Sequence, residues 1–131
     1  EVAVNHITGK ADRMEYNAIP GIVYTNPEVS SVGLTEEQAA AQGIEYRVSK
    51  LPMTYSGRFV AENEGQMGLC KILADKEGYV IGVHFLGNPS GEFICAACMA
   101  ITHRITIEEL KRTVFPHPTV SEILKEGLFE L

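Results

Sequence analysis

Residues 67–86 read MGLCKILADKEGYVIGVHFL, two apolar, β-type runs separated by a short polar segment. Residues 67–74 and 79–86 have the length and composition of β-strands. Residues 75–78, between them, end in glycine, as hairpin loops commonly do. The sequence therefore predicts an antiparallel hairpin at the centre of a sheet.

Further strands are predicted before this hairpin. Residues 21–25 and 29–34 are short apolar runs interrupted by an Asn-Pro pair, and residues 44–51 alternate apolar and polar side chains with the period of a strand. Residues 53–64 are polar and irregular, and no regular element is predicted there. Residues 1–20 have mixed character and are predicted to be a lead-in from a preceding domain.

Helices are predicted mainly in the last third of the chain. Residues 93–101 form an apolar run rich in alanine, which is typical of a buried helix. Thr35, Thr106 and Thr119 are each followed three residues later by Gln or Glu, the spacing of a capping box at a helix start. Strands collected early and helices late predict an α+β fold, a mostly antiparallel sheet with helices packed on it, as a single domain over residues 1–131.

Composition and charge exclude several classes of protein. The 131 residues are 45% hydrophobic and 21% charged, which is ordinary for a globular domain, and the net charge of -6 disfavours nucleic acid and anionic membranes as partners. No signal peptide or transmembrane run is legible, and three cysteines are too few for a disulfide framework. We therefore expect a cytoplasmic protein.

The most unusual local run is FPHPTVSE at residues 115–122. The prolines on both sides of His117 restrict its backbone, so that the imidazole is held in one direction. Glu122, in the first turn of a predicted helix, is close enough in principle to reach back to the ring. Such a carboxylate would select the tautomer and make His117 a proton acceptor. The same residues also fit a simpler interpretation, in which Glu122 only caps its helix.

Three segments together resemble the interface domain of dihydrolipoamide dehydrogenases, which are flavin-dependent disulfide oxidoreductases. They are VYTNPEVSSVGLTEEQ at residues 23–38, LPMTYSGRFVAENE at 51–64 and PHPTVSE at 116–122. The resemblance covers nearly the whole chain from about Tyr16. One position departs from it, because many members carry a second histidine where this chain has Phe115.

This resemblance implies specific roles for the residues that match. His117 would be the family's acid/base histidine and Glu122 its carboxylate partner, serving the active site of the other subunit of a homodimer. His117 and Pro118 would lie near the flavin of that subunit, with a cis bond between them. The full-length enzyme would use FAD and NAD, and its partner would be the lipoyl-bearing component of 2-oxo acid dehydrogenase complexes.

The chain itself has no glycine-rich phosphate loop of the GxGxxG or GxxxxGK[ST] type. We therefore expect it to bind neither cofactor alone and to be inactive alone. Two alternatives remain at this point, a purely structural dimerisation module and the same domain of a glutathione-type NADPH reductase.

Other candidate sites are weaker. Cys95 and Cys98 have the CxxC spacing of redox sites, but they lie inside the apolar helical run, where cysteine packs as a small hydrophobe. Adding His103 gives three potential zinc ligands, one short of a closed structural site. We therefore predict no metal site. His84 is predicted to be a sheet residue, His6 to be exposed, and Arg58 to lie in a solvated loop.

Overall fold

The computed structural model describes residues 1–131 as a five-stranded antiparallel sheet with helices packed against it. The strands are β1 (Gly21–Val23), β2 (Val29–Gly33), β3 (Tyr46–Pro52), β4 (Leu69–Asp75) and β5 (Val80–Leu86). The helices are α1 (Val2–Ile7), α2 (Glu36–Ala41), α3 (Gly57–Glu62), α4 (Ser90–Thr102), α5 (Ile107–Arg112) and α6 (Glu122–Phe129). The predicted α+β class is confirmed.

The sheet is built around the hairpin that the sequence indicates. Its order is β1-β2-β5-β4-β3, so that β5 pairs with β4 on one side and with β2 on the other. Every pairing is antiparallel. The predicted central hairpin is therefore confirmed, and β5 is its most interior strand.

One face of the sheet carries the core. Alternate side chains of the central hairpin point to the face on which α4 and α6 pack, and all of them are buried: Cys70, Ile72, Val83 and Phe85. Helix α6 approaches closely at Gly127, where a Cβ atom would lie 2.7 Å from the end of the Ile72 side chain. This close approach fixes the height of α6, and hence of its first residue, above the sheet.

Two segments differ from the sequence expectation. Residues 57–62, predicted to lack regular structure, form α3, because Ser56 caps that helix and Phe59 is fully buried beneath it. Phe59 is the only buried residue of this helix, so the segment lacks the repeated apolar positions by which a helix is predicted. Residues 2–7, within the predicted lead-in, form α1, a helix with no buried residue.

The capping boxes predicted at Thr35 and Thr106 are both formed, with side-chain and backbone bonds in each direction. The one predicted at Thr119 is only half formed. Glu122 accepts from the Thr119 amide, but the Thr119 hydroxyl bonds to the Pro116 carbonyl and to the Ser121 hydroxyl instead of capping the helix. Helix α6 consequently begins at Glu122 itself.

The fold predicts that replacement by alanine will affect stability very differently at two glycines. A Cβ atom at Gly82 would lie 2.0 Å from the Leu34 carbonyl oxygen, whereas one at Gly57 would meet nothing within 4 Å. We expect Gly82→Ala to destabilise the chain by about 1–3 kcal/mol, because backbone must shift to relieve the overlap. Gly57→Ala should be neutral or slightly stabilising, since alanine favours helix. Urea unfolding measures both, and equal stabilities would contradict this packing.

Candidate functional site

His117 lies in the loop between α5 and α6, and its bond to Pro118 is cis, as the resemblance implies. The imidazole turns back toward the start of α6. Its Nδ1 atom lies 2.6 Å from Oε1 of Glu122. The structure thus brings together the two residues that the sequence analysis paired, across five positions of the chain.

The Glu122 carboxylate is held at both of its oxygens. Oε2 accepts a hydrogen bond of 2.7 Å from the Thr119 amide, while Oε1 faces His117. The Thr119 amide lowers the pKa of Glu122 most, and the hydrogen bond from His117 lowers it further, against the opposing effect of burial. Glu122 is therefore ionised at neutral pH.

This ionised state determines the tautomer of His117. A carboxylate can only accept hydrogen bonds, so Nδ1 of His117 must be the donor. In the neutral ring the lone pair then lies on Nε2. The sequence offered a helix cap or a tautomer selector for Glu122. In the structure α6 has no side-chain cap, and Glu122 contacts His117 while it binds the Thr119 amide in the turn before the helix.

The free edge of the imidazole faces outward. The His117 side chain is 80% exposed, against 20% for Glu122, and Nε2 makes no hydrogen bond within the chain. A basic nitrogen with fixed orientation and open access is therefore presented at the surface.

The loop around His117 is anchored from two directions. At its start, Lys125 of α6 donates from Nζ to the Thr113 carbonyl, at 2.8 Å. At its end, Val120 is buried in the core, and the Ser56 hydroxyl donates to the Thr119 carbonyl at 3.0 Å. The sequence analysis missed Ser56. In the sequence, Ser56 is marked only as a possible N-cap before Phe59, the one residue of α3 that becomes buried. That pattern is too weak to predict the helix.

A groove of about 280 Å³ runs beside the loop. It is lined on one side by Pro118, Thr119, Val120 and Ser121 and on the other by Arg58, Glu62, Pro89 and Phe93. Arg58, expected in a solvated loop, instead lies on α3 and forms an ion pair with Glu62 one turn later. The groove therefore has a partly neutralised cation at its rim.

The remaining candidate residues do not form sites. Cys70 is buried, and burial raises the pKa of its thiol to about 12. Cys95 is exposed and Cys98 half-buried on α4, both as free thiols. Cys95, Cys98 and His103 are not brought together as a group of three ligands that could hold a metal ion.

The other two histidines are placed as predicted. His84 lies on β5 with Nε2 2.9 Å from the Leu34 carbonyl, and burial lowers its pKa. His6 is exposed on α1.

None of the helices is both long enough and apolar enough to cross a bilayer.

The bonds of Glu122 predict a stability that depends on pH. Because its pKa is lower in the folded chain, the carboxylate stabilises the fold above the ordinary glutamate range and loses this effect as pH falls through the lowered value. We expect Glu122→Ala to cost about 1 kcal/mol at pH 7 and progressively less as pH falls below the ordinary glutamate range and through the lowered pKa. Glu126→Ala, exposed on the same helix, is the matched control. Equal losses for both variants at pH 7 in urea unfolding would refute the assignment.

Comparison with known proteins identifies the family. Residues 19–128 match the model of the pyridine nucleotide-disulphide oxidoreductase dimerisation domain. The mitochondrial dihydrolipoyl dehydrogenase of Pisum sativum is 43% identical over 125 residues, covering 95% of this chain and 25% of that protein. Leghemoglobin reductase of Glycine max is 44% identical, covering 95% of this chain and 24% of that protein. The chain thus spans about a quarter of the length of these relatives.

Solved structures agree with the sequence relatives. LpdA from Mycobacterium tuberculosis superposes with a TM-score of 0.87 at 26% identity, over 98% of this chain and 28% of that one. The HOCl-induced flavoprotein disulfide reductase RclA from Escherichia coli gives 0.86 at 26% identity, over 98% and 30%. The resemblance found in the sequence is confirmed, and this chain belongs to the dimerisation-domain family of the pyridine nucleotide-disulphide oxidoreductases.

Proposed function

We propose that this chain is the dimerisation part of a dihydrolipoamide dehydrogenase, and that His117 and Glu122 supply its acid/base pair to the active site of the other subunit. The observation that carries the proposal is the 2.6 Å contact between His117 Nδ1 and an ionised Glu122, which leaves the Nε2 lone pair open to the outside. A helix cap alone would not need an aimed, exposed imidazole.

The chemistry assigned to His117 is proton transfer at Nε2. The ring takes the proton of a dihydrolipoamide thiol, and the thiolate so formed attacks the redox disulfide beside the flavin, where one sulfur leaves as a thiolate. Glu122 balances the positive charge that His117 gains in this step. When the proton is returned, the same contact restores the starting tautomer.

The cofactors belong, in this proposal, to other parts of the full-length enzyme. The sheet here is wholly antiparallel, so it lacks the parallel strand-to-helix turn that cradles a dinucleotide. Bound FAD would carry electrons to NAD from the thiols that form when the substrate reduces the redox disulfide. From this chain, only the exposed His117 edge and Pro118 would approach the flavin of the other subunit.

The assignment to dihydrolipoamide as substrate rests on relatives, not on the site alone. Phe115 stands where many family members carry a second histidine, and glutathione-type reductases also lack it. Against that, relatives at 43–45% identity include dihydrolipoyl dehydrogenases of Pisum sativum and Arabidopsis thaliana. We infer that the partner is a lipoyl-bearing protein of 2-oxo acid dehydrogenase complexes, whose lipoyl arm reaches His117 past the adjoining groove.

We also propose that residues 1–20 are in the main a lead-in from a preceding domain, although Ala18 near its end is already buried in the core of this one. Helix α1 buries none of its residues, and Val4 and Ile7 are 61% and 81% exposed on it. The matched family region likewise begins at residue 19. Apolar side chains left uncovered on a short helix call for a further packing surface.

A catalytic role for His117 predicts a large kinetic effect in the full-length flavoenzyme. His117→Gln should lower kcat by about 10²- to 10⁴-fold, the usual contribution of a general base. Glu122→Gln should also lower it, by up to about 10⁴-fold, because its amide nitrogen can donate to Nδ1 and so favour the wrong tautomer. Steady-state rates on FAD-loaded dimers measure both, with Glu126→Gln as control.

A purely structural module gives the opposite result. There, His117→Gln would retain turnover close to wild type once assembly and flavin content are matched. Such an outcome would leave the dimerisation role standing and remove the acid/base role.

If His117 lies at the interface of a homodimer, a charge introduced beside it should weaken the dimer. Val114, three residues before His117, is 88% exposed, and Met67, two residues before β4, is 84% exposed. Val114→Glu should weaken the dimer of the full-length protein about tenfold or more, because a charge would be buried in the interface. Met67→Glu should leave it unchanged. Sedimentation velocity across a dilution series tests this, and equal dissociation constants would contradict the proposed face.

A further inference from the structure

Ser56 joins α3 to the loop that carries His117. Its side-chain oxygen accepts from the Phe59 amide at 3.1 Å, as the N-cap of α3, and its hydroxyl donates to the Thr119 carbonyl at 3.0 Å. Both capacities of the hydroxyl are thus used. Ser56 is 2% exposed, so water is not available to replace either bond.

Thr119 is therefore held on both sides of its Cα atom. Its carbonyl is bound by Ser56, and its amide is bound by Oε2 of Glu122. The other oxygen of the same carboxylate contacts His117. Three hydrogen bonds in sequence thus connect a buried serine to the exposed imidazole, with Thr119 as the central link.

We propose that Ser56 is a positioning residue for His117, acting through Thr119 and Glu122 to keep the imidazole in the tautomer with an open Nε2. The value of this role for catalysis rests on the proposed function, whereas the positioning itself does not. Ser56 lies 61 positions before His117 in the chain, and the two belong to different sequence segments.

How tightly Thr119 holds Glu122 depends on the Ser56 hydroxyl. Pro116 and Pro118 lack amide hydrogens, so the turn has few backbone donors of its own. Without the Ser56 hydroxyl, the part-buried Thr119 carbonyl would lose its partner and the turn would relax to find water. The Thr119 amide would then move relative to Oε2, and Oε1 would no longer be fixed opposite Nδ1.

The test is the tautomer ratio of His117, read from ¹⁵N shifts of the two ring nitrogens in the 131-residue chain at a pH where the ring is neutral. In the wild type, Nδ1 should carry the proton. Ser56→Ala should raise the ratio of the Nε2-protonated form about fivefold, the effect of losing one net hydrogen bond. Ser56→Gly should do the same while weakening the helix cap less than alanine does.

Thr35→Ala is the matched control, because it removes an N-cap hydroxyl of similar function from α2. The inference is supported if both Ser56 variants shift the ratio and Thr35→Ala does not. It is overturned if the folded Ser56 variants keep the wild-type ratio. It is also overturned if Thr35→Ala shifts the ratio equally, since the effect would then be general loosening.

Measurements on the full-length flavoenzyme separate this inference from the proposed function. If both are right, Ser56→Ala lowers kcat with little change in KM. If the tautomer shifts while His117→Gln keeps full turnover, the positioning stands and the catalytic proposal fails. If His117→Gln is inactive while the Ser56 variants leave both tautomer and kcat unchanged, the positioning role fails alone.

Discussion

The arrangement of this site depends on one carboxylate that accepts two hydrogen bonds in different directions. Glu122 binds the Thr119 amide with one oxygen and His117 with the other. Because an ionised carboxylate has no proton to give, both partners must be donors, and this condition alone decides which nitrogen of His117 is free. The turn at Thr119 and the tautomer of His117 are thus held by the same carboxylate.

The carboxylate can do this only because α6 is fixed above the sheet. Gly127 lets the helix lie close to the sheet, because a Cβ atom there would be 2.7 Å from the end of the Ile72 side chain, and Ile123 and Leu124 are buried in the first turn. The position of Glu122 is therefore determined by the core of the domain. His117 is aimed by a rigid element, although it lies in a loop.

The sequence predicted those parts of the molecule that depend on near neighbours. The hairpin of β4 and β5 follows from two apolar runs and a short turn, and the His117–Glu122 pair lies within one segment of eight residues. Helix α3 was not predicted because its formation depends on burying Phe59 in a core assembled from distant strands. The bond from Ser56 to Thr119 was missed for the same reason, since no periodicity relates positions 63 residues apart.

The exposure of His117 indicates what the isolated domain lacks for catalysis. A general base works best where water is excluded and its charge is not screened, yet 80% of this side chain is open to solvent. The geometry on the Nδ1 side is complete, with the ring, the carboxylate and the amide behind it all in place. On the Nε2 side the imidazole ring is open to solvent. An acid/base role therefore requires a second surface to close over the ring, and the proposed homodimer would supply that surface from the other subunit.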